Sequence, residues 1–137
     1  MKIGNFCNRE VVITDRETTI LEAAKLMRRH HVGDIVVVES QGSGNIPIGI
    51  ITDRDMVVEL LAEEIDLSKV TVGDVMSLEL YAVKEDDDLL ETAHLMRQHG
   101  IRRVPVVATA GELVGITTLD DMIEASAEQL STLTMVS

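Results

Sequence analysis

The chain contains its own sequence twice, which limits it to folds built from two like halves. Gly4 laid on Gly73 sets an offset of 69 residues that holds without a gap as far as Val38 on Val107. Within it, Leu21-Glu22-Ala23-Ala24-Lys25-Leu26-Met27-Arg28-Arg29-His30 falls on Leu90-Glu91-Thr92-Ala93-His94-Leu95-Met96-Arg97-Gln98-His99. Three extra residues in the first copy, around Gln41 to Pro47, lower the offset to 66. There Gly49-Ile50-Ile51-Thr52-Asp53-Arg54-Asp55-Met56 meets Gly115-Ile116-Thr117-Thr118-Leu119-Asp120-Asp121-Met122. Two copies of so long a period predict a pseudo-twofold pair whose halves bury each other's apolar faces, not an open array. A site made by the repeat is then expected twice.

At 137 residues the chain has the length of one ordinary domain. Hydrophobic residues make up 45%, yet there is one Phe, one Tyr and no Trp, so the core must be aliphatic. The net charge of −12 argues against a nucleic-acid surface. Phosphate binding needs a basic stripe, and single strands need aromatic platforms. No membrane partner is expected either: Met1-Lys2 leads directly into polar residues, without a signal peptide, and no apolar run approaches a span. A cytoplasmic protein is the expectation. Cys7 stands alone where the second copy has Met76, and reads as a small packed hydrophobe; a redox-active thiol would need a basic neighbour that the sequence does not place beside it.

Each copy reads as strand, helix, strand, strand, helix. Val11-Val12-Ile13 and Leu80-Tyr81-Ala82-Val83 are short β-prone runs. Thr18 or Thr19, and Asp87 or Asp88, offer N-caps to helices whose apolar residues recur at helical spacing, as Ile20, Ala24, Met27 and Leu89, Ala93, Met96. The helices are expected to end near His30-His31 and at His99-Gly100. Asp34 to Val38 and Arg103 to Val107 follow as buried strands, then glycine-bearing turns, then Ile48 to Ile51 and Leu113 to Ile116. A last helix begins at Thr52 and at Thr118, and Glu63 to Val70 is a polar linker.

Few constellations suggest chemistry. Gly42-Ser43-Gly44-Asn45 has the look of a phosphate cradle, but it joins two strands instead of opening onto a helix, and reads as a turn. His30, His31 and Asp34 sit near a helix end. Adjacent helical residues point about 100° apart, which does not suit a shared metal ion; His30 recurs as His99, favouring a cation near the terminal carbonyls. No nucleophile has an activating context and no carboxylate pair is isolated, so catalysis has no support.

The string of Gly, two residues, Thr, two residues, Asp recurs at the same junction in both copies. One reading is structural: Thr52 and Thr118 cap their helices, and Asp55 and Asp121 close capping boxes. The box prefers the longer Glu or Gln at that position. The other reading is a cleft rim, where the Asp carboxylate accepts from the vicinal hydroxyls of a ribose and the helix N-terminus faces a phosphate. The residues alone leave both open.

The whole chain resembles a tandem CBS-domain pair, the module named for cystathionine β-synthase. The resemblance is carried by both strings, by Gly73-Asp74-Val75-Met76 and by Ile101-Arg102-Arg103-Val104-Pro105-Val106. It covers residues 3 to 131, dividing the chain into a first repeat at 3–66 and a second at 67–137. It implies an α+β fold of two βαββα repeats packed as a pseudo-twofold pair, with two clefts between repeats. It also implies a homodimer and an adenine-ribose ligand: AMP, ADP or ATP, with NAD or S-adenosylmethionine as alternatives. By the same resemblance Thr52, Asp55, Thr118 and Asp121 bind ribose, and Arg102 and Arg103 bind phosphate; from its charge alone, Arg54 is the phosphate candidate of the first copy. Ile13, Thr14, Val32, Gly33, Ala82, Val83 and Ile101 line the base. Met56, Leu60 and Leu61 with Met122, Ile123 and Leu130 are expected to form the dimer contact.

The copies differ where phosphate would bind. Gly33 and Asp34 replace Arg102 and Arg103, and Arg54 stands where the second copy has Asp120. Like charges repel, so the second copy is expected to be the better nucleotide site. The sequence thus reads as a non-catalytic regulatory CBS pair that binds adenine nucleotides and signals through a protein effector. The alternative is a structural or protein-interaction CBS module without ligand.

Overall fold

The computed structural model of the protein describes residues 1–42, 44–77 and 80–136. Ser43, in the glycine-bearing turn considered above, lies outside the described residues. The first copy contributes β1 (Ile13–Thr14), α1 (Ile20–His30), β2 (Asp34–Gln41), β3 (Gly44–Thr52) and α2 (Asp53–Asp55). The second contributes β4 (Val83–Lys84), α4 (Leu89–His99), β5 (Arg103–Val107), β6 (Leu113–Thr118) and α5 (Leu119–Thr134). A short helix α3 (Val72–Val75) lies between them, and a 3₁₀ turn, Ile3–Asn5, occupies the matching place at the start of the chain. Each copy makes a three-stranded sheet, ordered β1-β2-β3 and β4-β5-β6. The first pair in each is parallel across a helix and the second is antiparallel. This is the expected α+β architecture of two βαββα repeats.

Local chemistry accounts for the element ends. Thr19 caps α1 by accepting from the Glu22 N–H, and Asp88 caps α4 by accepting from the Leu90 N–H. Both helices stop on a left-handed residue, His31 at φ 53° and Gly100 at φ 65°, with basic side chains in the last turn to complement the carbonyl end. The first strands are shorter and later than the β-prone runs suggested: the residues in register with a neighbouring strand are Ile13–Thr14 and Val83–Lys84. The linker is less polar in its role than in its composition. Leu67 and Val70 pack on the core, and their carbonyls accept from the N–H groups of Leu21 and Ile20 at 3.0 and 2.9 Å.

The chain forms two compact units, Glu10–Leu80 and Met1–Arg9 joined with Tyr81–Ser137. The leading segment of each copy therefore completes the other copy's unit. The N–H groups of Ile3 and Gly4 donate to the carbonyls of Asp87 and Glu85 at 3.0 and 2.9 Å. At the matching positions Val72 and Gly73 donate to Thr18 and Arg16 at 2.8 and 2.9 Å. Ile3 and Val72 are fully buried, one in each core. Further along, Asn8 and Ile116 exchange two backbone hydrogen bonds at 2.9 and 2.8 Å, adding the segment to β6.

This contact explains the glycines that open both repeated strings. A Cβ on Gly115 would stand 2.9 Å from the Asn8 carbonyl oxygen and 2.9 Å from the Cys7 sulfur. On Gly49 it would stand 2.9 Å from the Met76 sulfur and 3.1 Å from the Ser77 carbonyl oxygen. The requirement is close backbone approach, not dihedral freedom.

Ile20, Ala23, Met27, Ile35, Val37 and Ile51 form the heart of the first unit's core. Val83, Met96, Val104, Val106 and Met122 hold the same role in the second, joined by Ile3 and Cys7. Three residues expected at a dimer contact are instead part of these cores: Met56, Leu60 and Met122 are 6%, 3% and 2% exposed. The reason is that the last helix of each copy lays these side chains on its own sheet. Leu61, Ile123 and Leu130 remain exposed. After α2 the first copy continues as a π-helical stretch, Met56–Leu61, with the Ala62 N–H reaching the Val57 carbonyl at 2.9 Å; α5 is α-helical throughout.

Gly115→Ala is expected to destabilise the protein by about 1–3 kcal/mol, since a backbone oxygen must give way. Thermal unfolding measures it. An unchanged Tm would show that the leading segment can shift aside without loss.

Candidate functional site

In both copies the last strand runs directly into a helix through a capping threonine. Thr52 and Thr118 are extended, at φ −117° and −114°, and each starts a helix on the next residue. Thr52 Oγ1 accepts from the Asp55 N–H at 3.2 Å, while Asp55 Oδ2 accepts from the Thr52 N–H at 3.2 Å. In the second copy Thr118 Oγ1 accepts from Asp121 at 3.1 Å and Asp121 Oδ2 accepts from Thr118 at 3.3 Å. Thr71 and Asp74 form a third such box at α3. The expectation that Asp suits this position poorly is thereby corrected. With the threonine extended, the shorter carboxylate still reaches the cap's own N–H.

The box does not exhaust the carboxylate. It engages Oδ2 alone in each copy, and an ionised carboxylate offers about four acceptor directions over two oxygens. Asp55 and Asp121 are partly exposed, so a hydroxyl-bearing ligand could be held while the helix stays capped.

Strand register brings the charged candidates to the same junction. Arg103 pairs with Thr118, and the Arg102 carbonyl accepts from the Leu119 N–H at 2.8 Å. Correspondingly, Asp34 pairs with Thr52, and the Gly33 carbonyl accepts from the Asp53 N–H at 2.9 Å. Arg102, Arg103, Thr118 and Asp121 are thus gathered in one unit, and Gly33, Asp34, Thr52, Arg54 and Asp55 in the other. Asp53 joins the second group. Sequence reasoning passed over it, although its alignment with Leu119 was a visible signal.

The base-lining candidates are more dispersed. Ile13 and Ala82 are exposed, Ile13 lying on the far edge strand with β2 between it and β3. Thr14 and Val83 are buried, and the Thr14 hydroxyl donates to Thr18 Oγ1 at 2.7 Å. Val32 and Ile101 are half-buried against their cores. Val32 and Asp53 also line a largely apolar cavity of about 380 Å³ between α1 and the helix after Thr52.

Two other side chains acquire partners that periodicity did not suggest. The His99 ring stacks on Tyr81, with centroids 3.9 Å apart and planes inclined by 19°. Cys7 is buried in the second unit's core, and burial pushes its thiol up despite the opposing charge of Arg9. That environment disfavours the reactive thiolate. Among the described residues, no three His, Cys, Asp or Glu side chains are grouped to hold a metal ion, and no helix is long and apolar enough to cross a membrane.

The CBS domain matches the chain at residues 3–62 and again at 72–128. The chain belongs to the CBS-domain family. This CBS pair is 33% identical to the Methanopyrus kandleri protein MK0525 over 97% of the chain, spanning 66% of that relative. It is 41% identical to the CBS domain-containing protein YhcV of Bacillus subtilis over 82% of the chain and 76% of the relative. Among solved structures, the CBS domain pair of protein MJ0100, in complex with 5′-methylthioadenosine and S-adenosyl-L-methionine, superposes with a TM-score of 0.81. There the identity is 25%, over 94% of this chain and 98% of that one.

Thr118→Ala removes one acceptor of the box and is expected to cost about 1 kcal/mol, a drop of several degrees in Tm. Thr118→Ser keeps the acceptor and should stay close to the parent in the same melt. Equal losses would assign the effect to the threonine methyl instead of the cap.

Proposed function

We propose that this CBS pair is a regulatory module that binds adenine nucleotides and transmits their presence to a protein effector, without catalysis. One observation carries the reading: both copies present a Thr and an Asp whose capping box leaves a carboxylate oxygen in hand, at the same strand-to-helix junction. The adenosine derivatives named with the MJ0100 pair support the ligand class. In this scheme Asp55 and Asp121 accept from ribose hydroxyls, helped by Thr52 and Thr118; Arg102 and Arg103 meet phosphate in the second copy, and Arg54 is their weaker counterpart in the first. Ile13, Thr14, Val32, Gly33, Ala82, Val83 and Ile101 form the surroundings of the base. AMP, ADP and ATP are the first ligands to try, with NAD and S-adenosylmethionine beside them. The exposed Val57, Leu61, Ile123 and Leu130 support self-association as a homodimer.

A second reading is favoured by the same boxes. Because the Thr and Asp side chains already have a complete local role, a structural or protein-interaction CBS module would keep them without any ligand. Asp121→Asn separates the two. The amide oxygen still accepts from the Thr118 N–H, but its partner atom becomes a donor that cannot accept from ribose. Under the ligand reading, AMP at 100 times Kd stabilises the parent by about 2.7 kcal/mol. The Asn variant should keep its unliganded Tm and lose at least about tenfold in affinity, or about 1.4 kcal/mol. If none of the five ligands moves the parent's melt at millimolar levels, the interaction module is the correct reading.

Arg102→Ala is expected to weaken AMP about tenfold in calorimetry while leaving adenosine nearly unchanged, because only the phosphate loses a charge-assisted partner. Equal losses for both ligands would place Arg102 in support of the fold or the base.

A further inference from the structure

The two copies put different charges at one structural position beside the repeated string. In the second, Arg102 and Arg103 are held there by the Leu119 N–H and by register with Thr118. In the first, the same two backbone links hold Gly33 and Asp34, with Asp53 in the place of Leu119. At these equivalent positions the first copy carries Asp34, Asp53 and Asp55 with Arg54, for a net −2, and the second carries Asp120 and Asp121 with Arg102 and Arg103, for a net of zero.

Asp53 is a positioned carboxylate. Its Oδ1 accepts from the Arg54 N–H at 2.8 Å, and its own N–H is tied to Gly33. A Cβ on Gly33 would stand 3.0 Å from Asp53 Oδ2 and 3.3 Å from its Cγ. The carboxylate therefore occupies the space into which a side chain at position 33 would emerge, the position equivalent to Arg102. The first copy therefore holds a carboxylate at the position from which, in the second copy, the Arg102 side chain departs.

We infer that the two copies select different classes of adenosine derivative, with Asp53 as the specificity-determining residue. The site at Thr52 and Asp55 takes ligands whose 5′ substituent is uncharged or cationic, such as a thioether or a sulfonium. The site at Thr118 and Asp121 takes 5′-phosphates. This rests on the reading of those Thr and Asp residues as ribose sites. The physical basis is that the fixed carboxylate repels phosphate, attracts a sulfonium and is nearly indifferent to a neutral group.

Calorimetry on chains with one site silenced tests the inference, using adenosine, AMP and S-adenosylmethionine as probes. With Asp121→Asn, the first site should bind AMP at least about tenfold more weakly than adenosine, and S-adenosylmethionine at least as tightly as adenosine. With Asp55→Asn, the second site should reverse the order and favour AMP by about tenfold. Adding Asp53→Asn to the Asp121→Asn chain keeps the size of the side chain. It should raise AMP affinity about tenfold at the first site, lower that for S-adenosylmethionine and leave adenosine within about twofold. Should that variant unfold in a thermal melt, Gly33→Arg with Asp53→Leu installs the second copy's pair and should give the same gain for AMP. An equal AMP-to-adenosine ratio at both sites overturns the charge selection while the ribose reading stands. Failure of adenosine to bind either site overturns both.

Discussion

Reciprocal exchange of the leading segments is the constraint on which the rest of the structure depends. Neither sequence repeat closes its own core: Ile3 is buried with the second copy's side chains, and Val72 and Met76 with the first's. Full burial of such a side chain contributes about 1.5–3 kcal/mol, a sizeable part of a small domain's net stability. The backbone links of Gly4 to Glu85 and Gly73 to Arg16 fix the segments in place, and Gly49 and Gly115 leave room for them to lie against the final strands. The chain crosses between units after Arg9 and after Leu80, so the units and the repeats are different divisions of one sequence.

That arrangement also steadies the candidate site. Gly49 and Gly115 lie three residues before Thr52 and Thr118, so the strands that deliver the threonines are those clamped by the exchanged segments. The capping boxes then orient Asp55 and Asp121 by a bond that involves no ligand. A carboxylate held this way has already lost its rotamer freedom, which lowers the ordering cost of binding a hydroxyl. Capping leaves room for recognition because it engages only one of the two oxygens.

Much of this was legible beforehand, for identifiable reasons. The duplication, the βαββα order, the caps to within one residue (Thr18 or Thr19, Asp87 or Asp88) and the stops near His31 and Gly100 follow from local rules of spacing and hydrogen bonding that operate within a few residues. The family was legible because ordered motifs recur in both copies, and the CBS domain matches at 3–62 and 72–128 bear it out. Other features were not visible. Met56, Leu60 and Met122 looked like an association surface because periodicity marks an apolar face without telling which neighbour covers it. The Tyr81 and His99 rings are 18 residues apart, and only the path of the chain makes them stack.

The sequence by itself determined the duplication, the element order, the aliphatic composition of the core and the charge difference between Gly33-Asp34 and Arg102-Arg103, since each is a property of residue identity at a fixed separation. Tertiary structure decided which core each leading segment completes, and therefore why Gly4, Gly49, Gly73 and Gly115 carry no side chain. It also decided where the Asp53 carboxylate rests, because a position 20 residues from Gly33 acquires meaning only when strand register sets the two backbones side by side. Local hydrogen-bonding rules are written in adjacent residues, whereas close packing is a relation between distant ones that exists only after the chain has folded.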